Sequence, residues 1–455
     1  MASTPTPGPP TATPTNPIPE RPGGGASGGE PIAAGSDAGD GGNNTAHALN
    51  RCVGDTEAFH TKFFGAAPHL HRSPVPFDDL LSLADVDRAI SGSGLRHPAV
   101  RLVRDGRAVD PATFTRPART GATRYADLVD PGRVLDRFAD GATIVLQSLH
   151  RWWPPVARFC RDLELEIGHS LQANAYLTPA GAAGLAPHHD THDVFVLQVA
   201  GTKHWTVRAP VVAAPLPHQR SDHDAAAEQP VLFEADLEPG DALYLPRGYV
   251  HSAAAQRGAA LHLTLGVLAV TAHDVLRRVV DRAGDDPAFR RHLPAGYPFE
   301  RDLAVRTVKA TLADLVDWIG RLDPGNLAND LTDAFFAHRA PLLDGQLAEV
   351  LALEQIDDRT RLRRRAGTTA ALDRCDDGRL RLTLGDRRLL LPAAVEPAVR
   401  RLLDGRSRTM GDLADLLDGP SRVVLARRLV REGALCTERS TGPGPPGTRP
   451  GADDG

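Results

Sequence analysis

The heptapeptide PHHDTHD, Pro187–Asp193, carries five potential metal ligands: His188, His189, Asp190, His192 and Asp193. Imidazole nitrogens and carboxylate oxygens both bind first-row transition metals, so what matters is which of these side chains share a face. Residues two apart on an extended segment do. His188 and Asp190 satisfy that spacing. His189 points the other way, His192 is placed to touch substrate or the ligands, and Asp193 serves the turn into VFVLQV. A third ligand is expected from EPGDALYLPRGYVHSA, Glu238–Ala253. There a Pro-Gly-Asp turn, the short strand ALYL and a second turn at Pro246–Gly248 deliver His251. Two imidazoles and a carboxylate leave coordination positions open, the donor set of non-haem Fe(II) oxygenases. A lone His-x-Asp is common on protein surfaces, where it is merely solvated. The strand context and the two turns around His251 favour a metal site built from His188, Asp190 and His251.

A second feature is independent of the first. KHWTVR, Lys203–Arg208, alternates, with Lys203, Trp205 and Val207 on one face and His204, Thr206 and Arg208 on the other. Lys203 therefore shares the apolar face. An ammonium buried without a partner costs several kcal/mol, roughly, and so calls for an anion. The competing reading is a strand-end lysine that snorkels to water. A dicarboxylate chelating the metal would supply the anion.

These residues need elements to hold them. LQANAYLTP, DVFVLQV, KHWTVRA, ALYLPRG and ALHLTLGVL are short, rich in Val, Leu, Thr and aromatics, and bounded by Gly, Pro and Asp. They read as strands of a barrel or sandwich. Before them come short helical pieces, including FDDLLSLADVDRAI, and then GATIVLQSLHRWWPPVARFCRDLELEIG, read as a strand, a Trp-Pro turn and a helix. From about Thr271 to Gln355 the periodicity is helical, pairing Val275 and Leu276 with Val279 and Val280, and later Leu315 with Trp318, Ile319 and Leu322. From about residue 356 to 438 the order is a hairpin followed by three short helices.

The chain has 455 residues, a length that suggests about three domains, and its 41% hydrophobic content supplies real cores. The formal net charge of −5 offers no basic field to attract nucleic acid. Cys52, Cys160, Cys375 and Cys436 are scattered without a CxxC pair, which speaks against a thiolate zinc site and fits a reducing cytoplasm. No apolar run approaches the length of a membrane span. Residues 1–45 and 439–455 are rich in Pro, Gly, Ser and Thr and are expected to be disordered.

Beyond these readings, GATIVLQSLHR, ANAYLTPAGAAGLAPHHDTHDVFVLQVAGTKHW and PGDALYLPRGYVHSA resemble the JmjC-type ribosomal oxygenases, within the cupin superfamily of 2-oxoglutarate-dependent Fe(II) enzymes. The resemblance implies an α+β fold: a double-stranded β-helix barrel over 46–270, a helical region over 271–355 that makes a homodimer, and a winged-helix domain over 356–438. It implies Fe(II) on His188, Asp190 and His251, with 2-oxoglutarate as co-substrate. The distal carboxylate of 2-oxoglutarate would pair with Lys203, and Asn174, Tyr176 and Thr264 would line the same pocket. It also implies a protein substrate, a side chain of a ribosomal protein that becomes hydroxylated.

Two departures stand out. His192 occupies a place where the family commonly carries an aromatic or another polar residue. The insert PHQRSDHDAAAEQP holds a second cluster, Asp222, His223 and Asp224, which lacks strand signals and reads as a solvated loop. Two alternative functions are carried. One is the same chemistry on a small molecule, a biosynthetic peptide or an N-methyl-lysine. The other is a non-catalytic ligand sensor whose winged helix reads DNA, with Arg359–Arg365 (RTRLRRR) as its best feature. Acidic residues are interspersed, so that run is expected to be a solvated or interdomain face rather than a nucleic-acid site.

Overall fold

The computed structural model describes residues 30–31 and 47–438, except Ser93, Ala183, Arg257, His338 and Asp376. Four of the five segments read as strands lie in one antiparallel sheet, and the fifth lies in a second sheet packed against it. The central strands of the larger sheet are, in neighbour order, Ala242–Leu245, Asp193–Ala200, Ala260–Leu268 and Ser170–Thr178. The smaller sheet runs Val231–Leu237, Lys203–Arg208, Val250–Ala255. Its free edge is extended by a single bridge between His188 and His251.

Burial follows from this layering. Asp193–Ala200 is buried along nearly its whole length because both of its faces are covered. Phe195, Leu197 and Val199 pack into a large core with Val156, Phe159 and Leu163 of the helix Pro154–Ile167. Val194 and Val196 point the opposite way, into a smaller core with Trp205, Val207, Leu237, Leu243 and Leu245 between the sheets. A strand covered on both sides reads as a continuous apolar run. Lys203–Arg208 has one covered face and so alternates strictly between buried and half-buried.

The chain passes from one sheet to the other through Gly201 and Thr202. Gly201 sits at φ +65°, and a Cβ there would lie 2.2 Å from the Ala259 carbonyl oxygen, so only glycine fits.

The helical region is less covered than its periodicity suggested. In Ala272–Ala283, Val279 and Ala283 are buried, whereas Leu276 and Val280 are exposed. Arg301–Ile319 buries none of its residues. Val305, Val308, Leu312, Val316 and Ile319 form an exposed stripe along it.

In the C-terminal unit a meander of Ala371–Arg374, Leu380–Leu384 and Arg387–Leu391 precedes the helix Glu396–Leu402, a 3-10 turn at Met410–Leu413 and the helix Gly419–Arg431. The expected middle helix is thus only a 3-10 turn. Arg361–Arg364 is the central strand of a separate small sheet, between Arg408–Thr409 and Leu435–Thr437. The disorder expected for residues 1–45 and 439–455 concerns residues outside those described, with one exception. Glu30–Pro31 pairs with Ala371 and Leu372 at the meander's edge, where no strand was expected. Among the described residues no helix is long and apolar enough to cross a membrane.

Candidate functional site

His188 and His251 face each other across the last bridge of the smaller sheet, and Asp190 follows two residues along. The Asp190 carbonyl accepts from Gly248 N at 3.0 Å, which ties the His-Asp segment to the turn that delivers His251. One ligand atom from each of His188, Asp190 and His251 lies within 4.8 Å of the other two, and Asp190 Oδ2 is 3.7 Å from His251 Nε2. The backbone sets the tautomers. His188 Nδ1 donates to the Ala186 carbonyl at 2.8 Å, and His251 Nδ1 donates to the Tyr249 carbonyl at 3.1 Å. Nε2 of each ring is left with its lone pair, the form that binds metal. Burial, and after it the neighbouring His188, push the His251 imidazole below its ordinary value, which favours the neutral ring.

The other three potential ligands of the heptapeptide have structural partners. His189 faces away from the triad and is buried; its Nε2 meets the Gln219 carbonyl at 3.2 Å and its backbone N–H donates to Ser221 Oγ at 3.1 Å. His192 Nε2 stands 3.1 Å from Gln172 Nε2. Its ring also sets the space at Gly266, where a Cβ would come within 2.9 Å of His192 Cε1.

Asp193 does more than begin a strand. Buried, it accepts from Tyr244 Oη at 2.6 Å and from Arg247 N at 3.0 Å, and so anchors the turn that precedes His251. The insert also differs from a plain solvated loop. Asp222 caps a short helix, His223–Ala227, and His223 Nδ1 donates to the Pro187 carbonyl at 3.0 Å. Through Gln219, Ser221 and His223 the insert braces the ligand segment from outside, although Asp222, His223 and Asp224 remain exposed.

A cavity of about 100 Å³ opens beside the triad, and its lining includes Tyr176, Lys203, Trp205, His262 and Thr264. Lys203 is 3% exposed. Its Nζ donates to Thr178 Oγ1 at 3.1 Å, and no ion pair to it exists among the described residues. Burial pushes the ammonium down to about 7. Tyr176 stacks on His262 at 5.1 Å between centroids, and burial pushes its phenol up to about 12. Two further buried polar atoms on the lining, Trp205 Nε1 and His262 Nδ1, have no hydrogen-bond partner among the described residues. Asn174 lies on the same strand face as Tyr176 but outside the lining. Its Oδ1 accepts instead from Ser148 N at 3.0 Å, where the backbone is left-handed at φ 56°.

The sequence alone did not single out His262 on this wall, or Thr178 as the partner of Lys203 behind it. Strand parity could have flagged both: Thr178 is two residues past Tyr176 and His262 two before Thr264.

Residues 151–275 match the family described as the JmjC domain. Over 214 residues the chain is 32% identical to "Ribosomal oxygenase 2" of Mus musculus, covering 44% of this chain and 45% of that protein. Over 269 residues it is 30% identical to "Bifunctional lysine-specific demethylase and histidyl-hydroxylase NO66" of Dictyostelium discoideum, covering 55% and 52% respectively. The chain thus spans about half the length of these curated relatives. In fold it is similar to the X-ray structure of E. coli ycfD, with a TM-score of 0.50 over 85% of this chain and 99% of that one, at 17% identity. Residues 151–275 are thus similar to the JmjC domain and the chain is similar to proteins named ribosomal oxygenases, while the likeness to ycfD concerns the fold alone.

Proposed function

We propose that the chain is a 2-oxoglutarate- and Fe(II)-dependent oxygenase that hydroxylates a side chain of a ribosomal protein. The observation that carries this reading is a juxtaposition: two imidazoles and a carboxylate converge at a cavity that also holds a buried ammonium without a counter-ion among the described residues. The donor set suits Fe(II) with open positions; Lys203, which has no ion pair among the described residues, and the unsatisfied Trp205 Nε1 and His262 Nδ1 suit an anionic, hydrogen-bonding occupant. The names of the relatives, ribosomal oxygenase and histidyl-hydroxylase, support the choice of a protein substrate.

In this reading Fe(II) with 2-oxoglutarate supplies, when bound, the oxidising power needed to hydroxylate a C–H bond. His188 and His251 would hold the metal through Nε2, with their Nδ1 protons fixed on backbone carbonyls. Asp190 would complete the set and bring the negative charge. Lys203 would pair with the distal carboxylate while Thr178 orients its ammonium, and Tyr176 and Thr264 would bound the pocket. Asn174 would act one step back, through the Ser148 turn.

The test is succinate release dependent on iron and 2-oxoglutarate and absent in His188→Ala, together with a gain of about 16 Da on a ribosomal protein in cells that carry the gene. Undiminished turnover in His188→Ala would sink the reading. The name of the Dictyostelium relative also includes lysine demethylation, so N-methyl-lysine is the second substrate class. A loss of about 14 Da on a lysine would select it.

The finer organisation belongs to the same proposal. Residues 46–270 form the catalytic unit and 356–438 a winged-helix-like unit, while the region between them pairs two copies of the chain. Support for pairing is the apolar stripe on Arg301–Ile319, a face that a second copy would bury. The free cysteines suit a cytoplasmic setting.

A further inference from the structure

The arginine run that the oxygenase reading leaves unused forms one wall of a cleft between the catalytic unit and the C-terminal unit. This cleft, of about 440 Å³, is lined by Arg151, Trp152, Trp153 and Arg158 on one side and by Arg363 and Arg365 on the other. Four guanidinium groups there face a single carboxylate, Asp344, which pairs with Arg158 at 2.9 Å. Arg151 and Arg363 are exposed and make no ion pair among the described residues.

Arg365 differs from both. It is only 8% exposed, and its terminal nitrogens donate to the Asp344 carbonyl at 2.9 Å and to the Gln346 amide oxygen. Among the described residues its Nε has no partner and its side-chain acceptors are neutral. A buried cation without a counter-charge costs several kcal/mol, roughly, and the neighbouring guanidiniums add to the demand for an anion.

The opposite wall is of a different kind. Trp152 Nε1 donates to the Gln147 carbonyl and Trp153 Nε1 to the Leu80 carbonyl, each at 2.9 Å. The rings pack edge to face, 6.2 Å apart and 79° between planes. Their polar edges are committed, so toward the cleft they offer rigid aromatic surface.

We infer that this cleft binds a nucleotide, its phosphate on Arg151, Arg363 and Arg365 and its base against Trp152 and Trp153. Guanidinium forks match phosphate oxygens, and aromatic side chains stack any base. Inorganic phosphate would use the arginines alone and leave the indole wall bare. The occupant is either a free mononucleotide or one unit of a single-stranded RNA, two sources with the same chemistry.

The experiment is fluorescence titration of the full chain, in EDTA, with N-methylanthraniloyl-ATP and with a labelled oligouridylate of about ten nucleotides. Saturable binding is expected. It should weaken by about tenfold or more when Arg151→Ala and Arg363→Ala are combined, and His188→Ala should leave it unchanged. Both arginines are exposed, so the double variant should fold, and its melting curve checks this. Trp152→Ala should weaken the nucleotide but not inorganic phosphate used as competitor. A preference of more than about tenfold for the oligomer assigns an RNA strand, and parity assigns a free nucleotide. The inference is overturned if neither probe saturates, if phosphate competes as well as AMP, or if the double variant binds like the parent chain.

Discussion

His188 and His251 are a directly opposed, hydrogen-bonded antiparallel pair. His188 N donates to the His251 carbonyl at 3.2 Å, His251 N donates back to the His188 carbonyl at 2.8 Å, and the rings stand 4.5 Å apart. Opposed residues in such a pair put their side chains on one face, so the backbone itself brings the two imidazoles together. Replacing either ring should therefore leave the fold intact and remove the metal. His251→Ala is expected to lower bound iron to background, measured by mass spectrometry of the metal, and to reduce turnover by at least about a hundredfold.

Lys203 gives a pH signature with two opposite signs. Its ammonium is pushed down to about 7 in the folded, ligand-free chain, against an ordinary value of 10.5. Between those values the unfolded chain holds the proton that the folded chain has lost, so stability should rise with pH from about 7 to 10.5. On the proposed reading 2-oxoglutarate would pair with the ammonium, so its dissociation constant should climb above pH 7, approaching tenfold per pH unit. Urea unfolding and calorimetric titration across that range read the two trends. Lys203→Met should flatten both; a parent chain whose affinity ignores pH would contradict the pairing.

Tyr244→Phe tests the anchor beneath the His251 turn. The lost hydroxyl donates to Asp193 at 2.6 Å and accepts from Gly65 N at 2.7 Å. Removing it strands a buried carboxylate and should cost about 1.5–3 kcal/mol in chemical denaturation.

Gly201→Ala addresses the hand-over between sheets. The added methyl meets a backbone carbonyl at 2.2 Å, at a φ of +65° that disfavours any side chain. Because backbone rather than a flexible side chain must yield, the loss should exceed about 2 kcal/mol. Thermal melting of soluble protein checks it, and a variant as stable as the parent would mean that the turn relaxes.

Pairing of two copies predicts that Leu312→Glu with Val316→Glu yields a monomer by size-exclusion chromatography with light scattering. Both positions are exposed, so the folded catalytic unit should survive the change. A monomeric parent chain would overturn the proposal.

Local rules carried far in this chain. Alternation placed His188 with Asp190, and Lys203 with Trp205 and Val207, because strand periodicity depends on the residue's own neighbours and nothing more. Turn chemistry around ALYL likewise marked where His251 emerges. The helical stripe of the middle region was visible in the same way, although periodicity says only that a face is apolar and not what covers it.

Everything that rests on which strand lies beside which was settled by the tertiary structure. Thr178 meets Lys203, His262 stacks on Tyr176, and Asp193 reaches Tyr244 and Arg247 across separations that no spacing rule encodes. The insert read as solvated became a brace, and the arginine run became one wall of a cleft that Trp152 and Trp153 also line. The physical reason is common to these cases. A side chain's face is set locally by backbone geometry, whereas its partner is set by sheet register and domain packing, which depend on the whole chain at once.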